Sequence, residues 1–126
     1  MPFSHLKLNP KINKALDENA YKNPTDIQEK VIPLVLQKKD IMAKAQTGSG
    51  KTASFVLPIL QFLVNKDEDK EHKGKAKIST LVLAPTRELA LQVSKAFMDF
   101  SKYFVNRPKV VTIIGGESLT QQLLDI

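Results

Sequence analysis

The chain contains no cysteine. That excludes a disulfide framework and any thiolate metal centre, and it fits a reducing compartment such as the cytoplasm. No apolar run is long enough to span a bilayer, so no membrane partner is expected. The opening residues Met1, Pro2, Phe3, Ser4 and His5 lack the basic and apolar regions of a signal peptide, and none is expected. Internal repeats and low-complexity tracts are missing too, which leaves out solenoid and linker-type architectures.

What is present suits one folded domain. The 126 residues are 42% apolar, enough for a packed core, and 25% charged. Nineteen basic residues against thirteen acidic ones give a formal charge of +6. Such an excess favours polyanionic partners, nucleic acid above all, although solubility alone also accounts for it.

Apolar spacing and punctuation residues divide the chain. Asn9 followed by Pro10 starts a helix that runs to about Asn19. Thr25 opens a second helix, with Ile27, Val31, Leu34 and Val35 on one face and Pro33 within it. Asp40 to Ala43 reads as a short buried strand leading into the loop Ala45 to Thr52. The helix after it presents Val56, Ile59, Leu60 and Leu63, with a kink expected at Pro58. The mixed-charge run Asn65 to Lys77 reads as a solvated loop. Thr80 to Ala84 is a second buried strand, ended by Pro85. Leu89, Val93, Ala96, Phe97, Phe100 and Phe104 then recur at helical spacing. Lys109 to Ile114 is a third strand, closed by Gly115-Gly116, and Ser118 caps a last helix. Strands alternating with helices predict an α/β domain with parallel strands and flanking helices.

The most informative stretch is Ala45-Gln46-Thr47-Gly48-Ser49-Gly50-Lys51-Thr52. Glycines let the backbone curl until successive amides face phosphate oxygens, and the following helix adds its positive end. Lys51 would reach the outer phosphates and the Thr52 hydroxyl would hold magnesium. The first position is Ala45 where the general phosphate-loop pattern has glycine, but the Gly-Lys-Thr end that touches the nucleotide is intact.

Gln28 admits two readings. Thr25 and Gln28 have the spacing of a capping box, in which the glutamine amide bonds back to the cap. A glutamine amide can also pair with N6 and N7 of adenine, donating and accepting together, where guanine presents the wrong pattern.

With those residues in view, the sequence resembles the DEAD-box helicases of superfamily 2. Their Q motif is similar to Ala20 through Gln28, with the isolated upstream aromatic matched by Phe3. Ala20 stands where the family usually has glycine. Motif I is similar to Ala45 to Thr52, motif Ia to Pro85-Thr86-Arg87-Glu88-Leu89-Ala90, and the paired glycines to Gly115-Gly116, all in family order over nearly the whole chain.

The resemblance implies a partial RecA-like P-loop domain over residues 1–126, with a Q-motif region at 1–28 and the phosphate loop at 45–52. It implies ATP and Mg2+ as ligands. Phe3, Tyr21, Thr25, Gln28, Gln46, Thr47, Gly48, Ser49, Gly50, Lys51 and Thr52 would contact the nucleotide. Lys51 and Thr52 would serve the reaction, Thr52 as the metal ligand. Thr86, Arg87, Gly115 and Gly116 would face an RNA backbone, reading phosphate and not base. Phe97, Phe100 and Phe104 lie on the apolar helix face and are expected in the core, not as stacking platforms.

One element is lacking for turnover. Hydrolysis needs a strand-end acid to fix the metal and a group to orient water. The family supplies both in an Asp-Glu-Ala-Asp motif, and this sequence contains none. Asp67-Glu68-Asp69 is the one tempting acidic cluster, and it does not end a strand. The expectation is therefore the first half or so of a helicase's first domain, binding ATP without hydrolysing it. Its first strand would lack its family neighbours, with low stability and self-association as results. The alternative is a short non-enzymatic protein that binds nucleotide or RNA.

Overall fold

The computed structural model describes residues 3–46, 48, 50–69, 78–116 and 118–124, with the side chains of residues 65–69 and of Leu119 left out. A 3-10 turn, Phe3–Leu6, precedes five helices: α1 (Pro10–Glu18), α2 (Asp26–Leu36), α3 (Lys51–Asp69), α4 (Arg87–Phe100) and α5 (Leu119–Leu124).

Each helix start follows from its capping chemistry. The Asn9 side chain accepts from the Lys11 amide at 2.9 Å, with Pro10 at the first helical position where no donor is needed. Thr25 caps α2 and Thr86 caps α4, the latter accepting from the Leu89 amide at 3.1 Å. Ser118 accepts from the Gln121 amide at 3.4 Å in front of α5.

Helices α2 and α4 both pack on α3, and α1 touches both α3 and α4. The core between them holds Ile12, Leu16, Ile32, Val56, Leu57, Leu60, Val64, Val93, Phe97, Phe100 and Phe104. Phe97, Phe100 and Phe104 are thus core residues, as their spacing predicts. Burying a side chain of this size contributes about 1.5–3 kcal/mol.

Three expectations need correction. The buried face of α2 is Gln28, Val31 and Ile32, while Leu34 is exposed. Residues 31, 32, 34, 35 and 36 are all apolar, so periodicity alone does not fix the rotation. The run from Asn65 was read as loop, yet α3 continues unbroken past Pro58 and on through Asp69. No glycine or proline occurs between Pro58 and Gly74, and lysine and glutamate propagate a helix well. Asp67-Glu68-Asp69 therefore ends a helix, and residues 70–77 lie outside the described residues.

The third correction concerns the strands. Among the described residues none is present, and 40–43, 80–84 and 109–114 carry no regular structure. Met42 is fully exposed, and Leu81 and Leu83 are 80% and 85% exposed, where burial was expected. A strand exists only beside another strand, about 4.8 Å away. No described segment supplies one, so the local apolar signal is there without the pairing that would bury it.

Candidate functional site

The loop after residue 43 turns at Gly48 (φ 84°) and Gly50 (φ 85°), both in the left-handed region that favours glycine. Thr47 and Ser49 lie outside the described residues. Gln46, Gly48 and Lys51 are exposed, and Thr52 is half-buried in the first turn of α3. The Ser54 amide bonds to the Gly50 carbonyl at 3.3 Å, the first backbone bond of that turn. The amides of Lys51, Thr52 and Ala53 stand ahead of it at the positive end of the helix, where an anion is stabilised.

Gln28 is 1% exposed and fastens α2 to this loop. Its Oε1 accepts from the Thr25 amide at 3.0 Å, and its Nε2 donates to the Gly50 carbonyl at 3.2 Å. The Gln28 amide in turn donates to the Thr25 hydroxyl at 3.4 Å, completing the capping box. One partner can only donate and the other can only accept, so the orientation of the side-chain amide is fixed by its surroundings. A side chain on Gly50 would overlap the Gln28 amide and come within 3.1 Å of the Thr25 hydroxyl.

Thr25, Gln28, Gly50, Lys51 and Thr52 are therefore brought together. Tyr21 is not among them. Its ring packs edge-on against Phe100 of α4, with centroids 5.4 Å apart, and it lines a cleft with Gln92, Lys95 and Asp99. Phe3 is 4% exposed in the core, its 3-10 turn resting on α2.

A second group forms where α4 begins. The Thr86 hydroxyl accepts from the Leu89 amide, which leaves its own proton to give. The Arg87 guanidinium donates to the Gly115 carbonyl. Gly116 has φ 85°, and Gly115 has no positive φ. So the four residues singled out for RNA meet in one place, from two segments 28 positions apart.

Two features were missed in the sequence. Ala20 has φ 61° and closes α1, its amide donating to the Asp17 carbonyl at 3.2 Å while the Tyr21 amide donates to the Leu16 carbonyl at 2.9 Å. That is a left-handed helix end, the reason glycine suits this position. Gln122, 6% exposed, accepts from the Ile114 amide at 2.6 Å and donates to the Ser118 carbonyl at 3.3 Å, fastening α5 beside the paired glycines. Nothing in its sequence context marks it.

A family model described as DEAD/DEAH box helicase matches residues 25–126. The chain belongs to this family. It is 47% identical to the ATP-dependent RNA helicase DeaD of Buchnera aphidicola (subsp. Acyrthosiphon pisum) over 122 residues, 96% of this chain and 19% of that relative. A crystal structure of a DEAD box protein from Methanococcus jannaschii matches with TM-score 0.83 and 38% identity, covering 99% of this chain and 32% of that one. The S. cerevisiae Dbp5 L327V structure bound to RNA and ADP BeF3 matches with TM-score 0.74 and 27% identity, covering 94% and 29%. The fold class is thus the family's α/β RecA-like domain, represented in part, and the chain spans about a fifth of the length of such curated relatives.

Proposed function

We propose that this chain is the ATP-binding portion of an ATP-dependent RNA helicase, which couples ATP binding and hydrolysis to RNA unwinding or remodelling. The contact of Gln28 with Gly50 carries the reading, because it joins the adenine-reading candidate to the phosphate loop in one structure. A side-chain amide has two N–H donors and an oxygen with two lone pairs. Thr25 and Gly50 use one of each. One donor and one acceptor remain, the pair that adenine N7 and N6 require and that guanine N7 and O6 do not. Since Gln28 is 1% exposed, the base reaches that edge only when the groups covering it give way.

The residues fit the nucleotide's phosphates as well. Two left-handed glycines, the leading amides of α3 and an exposed Lys51 form an anion cradle. Lys51 would hold the outer phosphates and stabilise charge on them, and Thr52 would hold Mg2+, which supplies further charge neutralisation when bound. Gln46, Thr47, Gly48 and Ser49 would line the cradle. Phe3 and Tyr21 would act indirectly, by bracing α2 and the end of α1. Among the described residues no group of three or more histidine, aspartate or glutamate side chains could hold a metal.

Thr86, Arg87, Gly115 and Gly116 would take an RNA backbone without reading bases. Dbp5, one of the structural relatives, was solved with RNA and ADP BeF3. The remainder of the helicase is proposed as a partner in cis, and self-association as the fate of exposed segments such as 81–83 when that partner is not there. No described helix is long and apolar enough to cross a membrane, and the cysteine-free composition suits the cytoplasm.

The test is a competition titration with fluorescent ADP, comparing ATP with GTP in the wild type and in Gln28→Ala. ATP should win in the wild type and lose its advantage in the variant. Equal competition by GTP in the wild type would remove the adenine assignment. The chain on its own should release no phosphate from ATP, with or without RNA, and RNA-stimulated turnover would contradict the reading.

A further inference from the structure

The two glycines of the pair are not equivalent. Gly115 has an ordinary backbone angle, and a side chain there would meet open space. Gly116 has φ 85°, and a side chain there would overlap the guanidinium of Arg87. The obstruction is the far end of a long side chain and not backbone, so a larger residue at 116 would move Arg87 before it moved the fold.

We propose that Gly116 is a positioning residue for Arg87: its bare Cα lets the guanidinium lie across the turn and dock on the Gly115 carbonyl. This rests on the reading that Arg87 holds an RNA phosphate. A guanidinium has five N–H donors in a fixed plane. Docking on Gly115 uses one and sets that plane, and Arg87 stays exposed with the other donors available to a phosphate. The α4 cap supports the same arrangement, since Thr86 fixes the backbone from which Arg87 projects. Gly116 need not touch RNA to matter for it.

The test is binding of a short fluorescent oligouridylate to the whole chain over a range of KCl. The variants are Arg87→Ala, Gly116→Asn and the two combined. Asparagine tolerates a positive φ, so it keeps the backbone turn while restoring the obstructing Cβ. Each single variant should lower the slope of log affinity against log salt by about 0.7, the value of one single-strand phosphate contact. The double variant should lose no more than Arg87→Ala does. An unchanged slope in Gly116→Asn, or additive losses in the double variant, would overturn the proposal.

A second measurement reads the coupling without RNA. In wild-type protein, nitrogen-15 spectra should resolve the Arg87 Nη signals because docking slows rotation of the guanidinium. Gly116→Asn should average them. Averaged signals in the wild type, or resolved ones in the variant, would also overturn it. If wild-type chain binds no RNA, the proposed function loses its RNA half, and these spectra alone decide the positioning role.

Discussion

Replacing Gln28 by glutamate changes one atom of a buried clasp and reverses one of its two bonds. Oε1 would still accept from the Thr25 amide. The atom facing the Gly50 carbonyl, now a donor at 3.2 Å, would become an oxygen with nothing to give unless protonated. An acceptor pressed on this part-buried acceptor costs about 1–3 kcal/mol, and a charge taken out of water costs more. The protein's escape is to keep the proton, which restores a donor to Gly50. Burial therefore raises the carboxyl above the usual carboxylate range in the folded state. The sign follows from proton counts: between the unfolded and folded midpoints the folded state holds more protons, so stability falls as pH rises. Gln28→Glu should approach the wild type near pH 4 and fall behind it with rising pH, by up to about 1.4 kcal/mol per pH unit until the folded group ionises. Thermal or urea melts of both proteins, matched in concentration and stepped from acid to neutral pH, measure the gap. A gap that stays constant, or widens on acidification, would refute the placement of this side chain between Thr25 and Gly50.

Other consequences are more direct. Ala20→Gly should stabilise, because a left-handed alanine costs about 1–2 kcal/mol and glycine returns part of that as chain entropy; a net gain of about 0.5–1 kcal/mol should raise the melting midpoint by a few degrees. Gly50→Ala should both destabilise the fold and weaken nucleotide binding, since the new methyl meets the Gln28 amide; combining it with Gln28→Ala should recover part of the stability in the same melts. Lys51→Ala should weaken ATP and GTP alike by about 1.5–3 kcal/mol in calorimetric titration, the value of a charge-assisted contact. Leu83→Lys should reduce association measured by sedimentation, as charge on an unpaired apolar segment blocks edge pairing, and a wild type that is monomeric at every concentration would remove that expectation.

The parts of this molecule legible in the sequence were those fixed by near neighbours in the chain. Asn9-Pro10 and Thr25 each specify a helix start within three or four residues, and both caps form as expected. The apolar face of α4 was legible because Leu89, Val93, Phe97 and Phe100 recur every three or four residues, whereas the unbroken apolar run from Val31 to Leu36 in α2 leaves the face open. That the expected strands do not form among the described residues was not legible, since Leu81 and Leu83 carry the local apolar pattern but a strand also needs a neighbour that local pattern cannot show. The site divides in the same way. Gly48 and Gly50 announce a left-handed turn by their type. That Gln28 reaches across 22 positions to Gly50, or Arg87 across 28 to Gly115, belongs to packing and has no local signal. Tyr21 packs edge-on against Phe100, a contact that its place in the motif does not announce.

The two halves of the site use one device. Helix α2 is capped by Thr25 and extends Gln28 from its third position; helix α4 is capped by Thr86 and extends Arg87 from its first. Each long side chain leaves its helix start and donates to a carbonyl in a turn far along the chain, at Gly50 and at Gly115. Each turn includes a glycine of positive φ, Gly50 and Gly116, where a Cβ would strike that side chain. Glycine is needed at both places for two reasons, backbone conformation and the space taken by a polar group. The reasons can be separated, because asparagine meets the first and not the second. What the device achieves physically is to fix a polar group against a turn through a single donor while part of its hydrogen-bonding capacity is kept. For Gln28 the remainder is one donor and one acceptor, suited to a base edge; for Arg87 it is four donors, suited to a phosphate. On the proposed function, the difference between reading a base and holding a backbone would lie in which side chain the helix start presents.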